Sequence, residues 1–188
     1  DPENLLALNV SLPEGKYADQ ETRRTFVRES LARLSEMPGV TVVAATNLLP
    51  SRNYNSGRRI RVEGDSVKED SEVPVADSRT VTPAFFETMK LPLYSGRAID
   101  ARDDGAEGAL QVAVVSRAFA ERHWPGLDPL GRRFRAGDAD TPMVTVIGVC
   151  GDVVHQWFTR RNYPTYYRPY AQEPRLGVAF AVRTSGDP

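Results

Sequence analysis

The chain opens with strict alternation. Leu6, Leu8, Val10 and Leu12 fall on one side of an extended run, with Ala7, Asn9 and Ser11 on the other. A period of two predicts a half-buried strand, and Pro13-Glu14-Gly15 ends it. The period then becomes helical. Asp19 can cap a helix whose first turn holds Glu21, an acid suited to the positive end of the dipole. Phe26, Val27, Leu31 and Leu34 recur on one face, and Pro38-Gly39 stops the helix. Val40 to Ala45 is a second strand, rich in β-branched residues. Strand, helix and strand in this order predict a βαβ unit with a right-handed crossover.

The next stretch is polar. Ser51 to Gly57 is expected to be an exposed loop. Ile60 and Val62 alternate with Arg59 and Arg61, which predicts a short strand with one wet face. The acidic run from Asp65 to Glu72 is expected to be a solvated connection. The composition changes near Thr80. Thr82-Pro83 has the form of a helix opening, a threonine cap followed by proline, and Phe85, Phe86 and Met89 would be that helix's buried face. Leu91-Pro92-Leu93 and Ser95-Gly96-Arg97 break it, and residues 100–109 are acidic loop. Val112 to Val115 is a short strand. Ser116 then caps a helix anchored by Phe119 and Trp124. Leu130 to Arg135 is another candidate strand. Met143 to Val149 is apolar on both parities, as in a central strand. Tyr166 to Tyr170 and Val178 to Val182 complete the predicted elements.

Composition removes several classes. The chain has 188 residues, and 24 basic against 25 acidic side chains leave a net charge of -1. That balance argues against a chain built to coat nucleic acid. No window approaches the roughly 18 unbroken apolar residues of a membrane span. One cysteine, Cys150, can form neither an internal disulfide nor a cysteine zinc cluster. Cys150 and His155 are close enough in sequence to raise a nucleophilic dyad, but the thiol sits in an apolar strand, where it behaves as a small hydrophobe. Asp152 and His155 lack a third metal ligand, and His123 beside Trp124 is a packing or surface residue. No glycine-rich phosphate loop is present. Catalytic, cofactor and metal residues are therefore expected to be none. Trp157 and Phe158 in a polar loop with Arg160 and Arg161 have the make-up of a partner contact.

Several phrases occur in a recognisable order. Val81-Thr82-Pro83-Ala84-Phe85-Phe86-Glu87-Thr88-Met89 is followed by Leu93-Tyr94-Ser95-Gly96-Arg97 and by Val114-Val115-Ser116-Arg117-Ala118-Phe119-Ala120. Trp124 to Gly131, Val146 to Val153, Tyr167 to Gln172 and Val182 to Pro188 follow. The ordered set resembles the MacB-like periplasmic core domain of FtsX/MacB-type ABC transporter permeases. Cys150 and the loops at Tyr54 and at Trp157-Phe158 depart from the family pattern.

The resemblance implies an α+β fold of two lobes. A porter-like βαβ lobe would be formed by both chain ends, residues 1–80 and 142–188, with a Sabre-like mixed α/β lobe inserted at 81–141. It also implies a non-catalytic domain on the periplasmic, extracytoplasmic face of the bacterial inner membrane, tethered by flanking transmembrane helices. The implied partners are a cytoplasmic ABC ATPase acting through those helices, a second permease copy, and a periplasmic adaptor or substrate. ATP hydrolysis would be passed on as movement, called mechanotransmission, in efflux or export. A small-molecule or lipid binding module between the lobes is the alternative, and predicts a concave apolar pocket with a few converging polar groups. A hydrolase using Cys150 and His155 is the remote one.

Overall fold

In chain order the elements are β1 (Leu5–Ser11), α1 (Gln20–Ser35), β2 (Val40–Thr46), β3 (Gly57–Val62), β4 (Val75–Val81), α2 (Phe85–Thr88), β5 (Leu93–Gly96), β6 (Val112–Ser116), α3 (Arg117–His123), β7 (Arg133–Ala136), β8 (Val144–Cys150), β9 (Thr165–Pro169) and β10 (Gly177–Thr184). The computed structural model describes residues 4–49, 56–65, 72–138, 140–153 and 163–186. The architecture is mixed α and β, with short helices laid on a large sheet.

Both chain ends build one three-stranded unit. β10 lies between β1 and β2 and runs antiparallel to each, so β1 and β2 are parallel with one strand between them. This is a βαβ unit split by the last strand. α1 begins where its cap requires, because Asp19 accepts a hydrogen bond from the Thr22 amide at 2.7 Å. Phe26, Val27, Leu31 and Leu34 pack with Val10, Leu12, Val178 and Phe180. The helix covers the Val10–Leu12 end of β1. Leu6 and Leu8 share the parity but remain 40% and 38% exposed, so the alternation there does not translate into burial.

The remaining strands close a barrel. β4 pairs with β3, β3 with β7, β7 with β8, β8 with β6, β6 with β9, and β9 returns to β4. Its inward side chains include Ile60, Ala113, Val115, Phe134, Val144, Val146 and Tyr166, with Phe119 of α3 and Trp124 just after it packed among them. A second core lies outside the barrel, where Phe85 and Phe86 of α2 and Ile99 cover Val81, Val114, Cys150 and Tyr167. Strand pairing thus runs across residues 80/81 and 141/142, since β4, β8 and β9 share the barrel with β6 and β7.

Three elements differ from expectation. β4 was not foreseen, because Asp77, Ser78, Arg79 and Thr80 make it polar, yet all four are buried. The polarity is met in part by an internal ion pair, while Arg79 Nε and Thr80 Oγ1 are buried without a hydrogen-bond partner. Arg79 donates to the Asp77 carboxylate at 2.9 Å, the Ser56 amide donates to the same oxygen at 2.9 Å, and Asp77 and Arg79 are almost fully enclosed. β5 occupies a stretch expected only to break a helix. It pairs with β8 across a register shift, and Gly96 approaches β8 so closely that a Cβ there would lie 2.3 Å from the Ile147 carbonyl oxygen. Thr82 does not cap α2, whose N-cap is Ala84 with no side-chain bond.

The buried pair makes a stability prediction. Burial drives both members toward their neutral forms, and their mutual attraction opposes it. Removing one partner of such a pair costs about 3–5 kcal/mol, and Arg79→Met is expected to fall in this range by urea unfolding. Without Arg79 the desolvated Asp77 carboxyl has a folded pKa above its unfolded one. The native state of the variant then binds the extra proton, so its deficit is largest at neutral pH and shrinks on acidification. A deficit independent of pH would show that Asp77 does not carry the cost.

Candidate functional site

Cys150 ends β8 with no solvent exposure. Burial, with the Asp152 charge adding to it, pushes its thiol up to about 12. Both causes favour the protonated thiol, which is the less nucleophilic form. Asp152 is committed elsewhere. It accepts from the Ala118 amide at 2.8 Å and lies 3.5 Å from the Arg117 guanidinium, so it secures the start of α3. Ser116 caps the same helix from within, accepting from the Phe119 amide at 3.2 Å and from the Thr165 amide at 3.1 Å. His123 packs against Phe119 with ring centroids 4.5 Å apart. His155, Trp157, Phe158, Arg160, Arg161 and Tyr54 lie outside the described residues.

The concave feature is a cleft of about 630 Å³ between α1 and the segments at 81–83, 99–106 and 169–171. One wall comes from α1, which contributes the apolar Val27 and Leu31 and the cationic Arg24 and Arg28. The opposite wall holds Val81, Pro83, Ile99 and Tyr170, rimmed by Asp100, Asp103 and Asp104. Its size and lining suit a small-molecule site.

The acidic rim is tightly held. Arg97 binds the Asp103 carboxylate with two bonds of 2.8 and 2.9 Å, and the Asp100 amide donates to the same group at 3.0 Å. Hydrogen bonding from Arg102 keeps the Asp100 carboxyl far below the usual carboxylate range. The loop presses on the turn after β9 at Gly105, where φ is +76° and a Cβ would meet the Ala171 carbonyl oxygen at 2.4 Å. Only glycine fits that approach. Arg24 joins α1 to the same place, donating to the Ala171 carbonyl at 2.6 Å. Arg28 donates to Thr25, and Asp104 accepts from the Ala106 amide.

A second feature joins the three-stranded sheet to the barrel. β2 meets β4 at a single residue pair, Thr46 with Val81. Thr82 reinforces it. Its amide donates to the Ala45 carbonyl at 2.9 Å, and its hydroxyl accepts from the Ala45 amide at 2.8 Å. Asn47 and Thr80 exchange two more bonds: the Asn47 amide donates to Thr80 at 3.1 Å, and the Thr80 amide donates to the Asn47 side chain at 2.9 Å. The Thr82-Pro83 pair has the form of a helix cap, which is not the use the fold makes of it. The only signal for its other use was the Val81-Thr82-Pro83 phrase, and nothing in that phrase identifies Ala45 as the partner. The cleft was equally hidden, since Val27 and Leu31 read as core and Asp100 to Asp104 as solvated loop.

The comparisons agree with this geometry. A sequence profile of the MacB-like periplasmic core domain matches residues 3–185. Among solved structures, the chain is similar to the periplasmic region of MacB from Actinobacillus actinomycetemcomitans, with a TM-score of 0.62 and 17% identity over 97% of this chain and 75% of that one. It is also similar to the extracellular domain of the noncanonic ABC-type transporter YknZ from Gram-positive bacteria, with a TM-score of 0.60 and 18% identity over 97% of this chain and 84% of that one. A search of curated proteins finds no match. The fold is that of extracytoplasmic transporter regions. The chain belongs to the MacB-like periplasmic core domain family.

The state of Cys150 is directly measurable. A thiol reagent at mildly alkaline pH should leave the folded protein unmodified and titrate one thiol in denaturant. Rapid modification of the folded protein would contradict the burial described here.

Proposed function

We propose that this chain is the extracytoplasmic, non-catalytic domain of an ABC transporter permease, which turns ATP-driven movement of transmembrane helices into movement of a substrate or periplasmic partner. One observation carries the reading. Residues 4 and 184 sit together, the Thr184 amide donating to the Asn4 carbonyl at 3.0 Å, and β1 and β10 run paired from there. Membrane helices flanking the domain would enter and leave at one place. A displacement applied there passes along β1, β10 and β2, and through the Ala45–Thr82 joint reaches the barrel. No described helix is long and apolar enough to cross a membrane, so the spans would lie outside this chain.

The reading includes a cytoplasmic ABC ATPase acting through those helices, a second permease copy, and an adaptor or substrate on the periplasmic side. Trp157, Phe158, Arg160 and Arg161 are proposed as contacts for that adaptor. The two-lobe division with 81–141 as the inserted part is also a proposal. Pairing supports a related cut, with β1, α1, β2 and β10 as the porter-like body and the barrel as the other.

The test uses the complete permease with its ATPase. A spin label at Leu127, an exposed residue following α3, is expected to shift relative to the membrane when ATP binds. Thr82→Ala should reduce the shift while ATP hydrolysis continues. A label that stays fixed through the ATP cycle would overturn the reading.

The apolar cleft favours a second reading, a binding module for a small apolar molecule or lipid. Filling it with Leu31→Trp should then abolish a bound species that native mass spectrometry detects on the wild-type domain. Identical spectra for both proteins would remove this reading.

A further inference from the structure

We propose that β1 is a self-pairing edge through which two copies of this chain join their three-stranded sheets into one of six strands. Among the described residues β1 pairs only with β10. The phase of that ladder is fixed at both ends, because the Thr184 amide bonds to Asn4 and the Leu12 amide bonds to the Leu176 carbonyl at 2.9 Å. In an antiparallel ladder, bonding toward one neighbour alternates along the strand. The even-numbered residues of β1 therefore bond to β10. The amides and carbonyls of Leu5, Ala7, Asn9 and Ser11 point away from the sheet.

Native sheets protect such an edge with charge, proline or a bulge. The sequence of β1, Leu-Leu-Ala-Leu-Asn-Val-Ser, carries neither charge nor proline, and its register with β10 runs without a shift. It also leaves Leu6 and Leu8 substantially exposed on the α1 face. Backbone groups alternating outward along seven residues accept an extended strand and no other shape.

A second copy fits by register. Full antiparallel overlap of two β1 strands sets Leu5 opposite Ser11 and Ala7 opposite Asn9. These are all outward-bonding residues, so odd meets odd and every outward amide finds a carbonyl. A slip of one residue would set odd against even and leave them unmatched. In the matched register Leu8 lies on the two-fold axis opposite its own copy, with Leu6 opposite Val10. The axis is perpendicular to the sheet, so both α1 helices stay on one face. Between them runs a row of six aliphatic side chains, covering the surface that α1 leaves bare.

The inference stands on the edge geometry alone, and its failure would leave the transporter reading intact. It is tested by disulfide trapping, with the buried Cys150 as a silent background. Leu8 residues of the two copies form a non-hydrogen-bonded pair, about 4.5 Å between Cα atoms, within the range a disulfide bridges. Under mild oxidation Leu8→Cys should yield a covalent dimer. Leu6→Cys alone and Val10→Cys alone should remain monomeric, while an equal mixture of the two should cross-link. In sedimentation, Leu8→Lys should lower self-association at least tenfold with an unchanged circular dichroism spectrum. Cross-linking of Leu6→Cys as fast as Leu8→Cys, absence of a Leu8→Cys dimer, or unaltered association of Leu8→Lys would each overturn the proposal.

Discussion

The architecture depends on how β2 meets β4. A three-stranded sheet and a closed barrel each bury their own core, and among the described residues their strands share only one ladder pair, Thr46 with Val81. Thr82 turns that minimal contact into a joint by using both its amide and its hydroxyl on Ala45. Ala45 and Val81 are completely buried, so the bonds are screened from competing water. Hydrogen bonds in such surroundings are costly to leave unmade. The outer core reinforces the joint. Phe85 and Phe86 pack against Tyr167 of the barrel, and Ala44 of β2 belongs to the same cluster. Arg183 of β10 reaches the same region, donating to the Thr88 carbonyl at 2.7 Å.

The cleft follows from the same arrangement. α1 is bound to one face of the split βαβ sheet, and the 99–106 loop packs on the segment after β9 at Gly105 and is tied to Arg97, just after β5, through Asp103. Arg24 crosses from the helix to that segment. The cleft is the space left between two surfaces that touch at their base and part above it. Its walls belong to different elements, and Thr82 of the joint is among its lining residues.

Sequence patterning served well where apolar residues set the element. The caps at Asp19 and Ser116, the face of α1 and the doubly apolar β8 all lie where their chemistry required. β1 was legible as a strand but not in its burial, because alternation does not say how far a helix extends over a sheet. β4 was illegible for a sharper reason. Its polarity is offset in part by Asp77 and Arg79 acting on one another, and by Ser56, from another segment. The βαβ unit was legible too, but not that β10, from the far end of the chain, would lie between its strands. The partners of Thr82 and the opposing walls of the cleft are tertiary facts that no local period encodes. The family phrases pointed to the fold through their order, without showing what any one phrase touches.

Native-state hydrogen exchange tests the central claim, that joint and barrel form one stiff body. The account predicts that the amides of Ala45 and Thr82 exchange only through the global unfolding that also exposes Val114 in the barrel wall. Exchange of Ala45 and Thr82 through a smaller opening, while Val114 stays protected, would mean two hinged bodies and would contradict it.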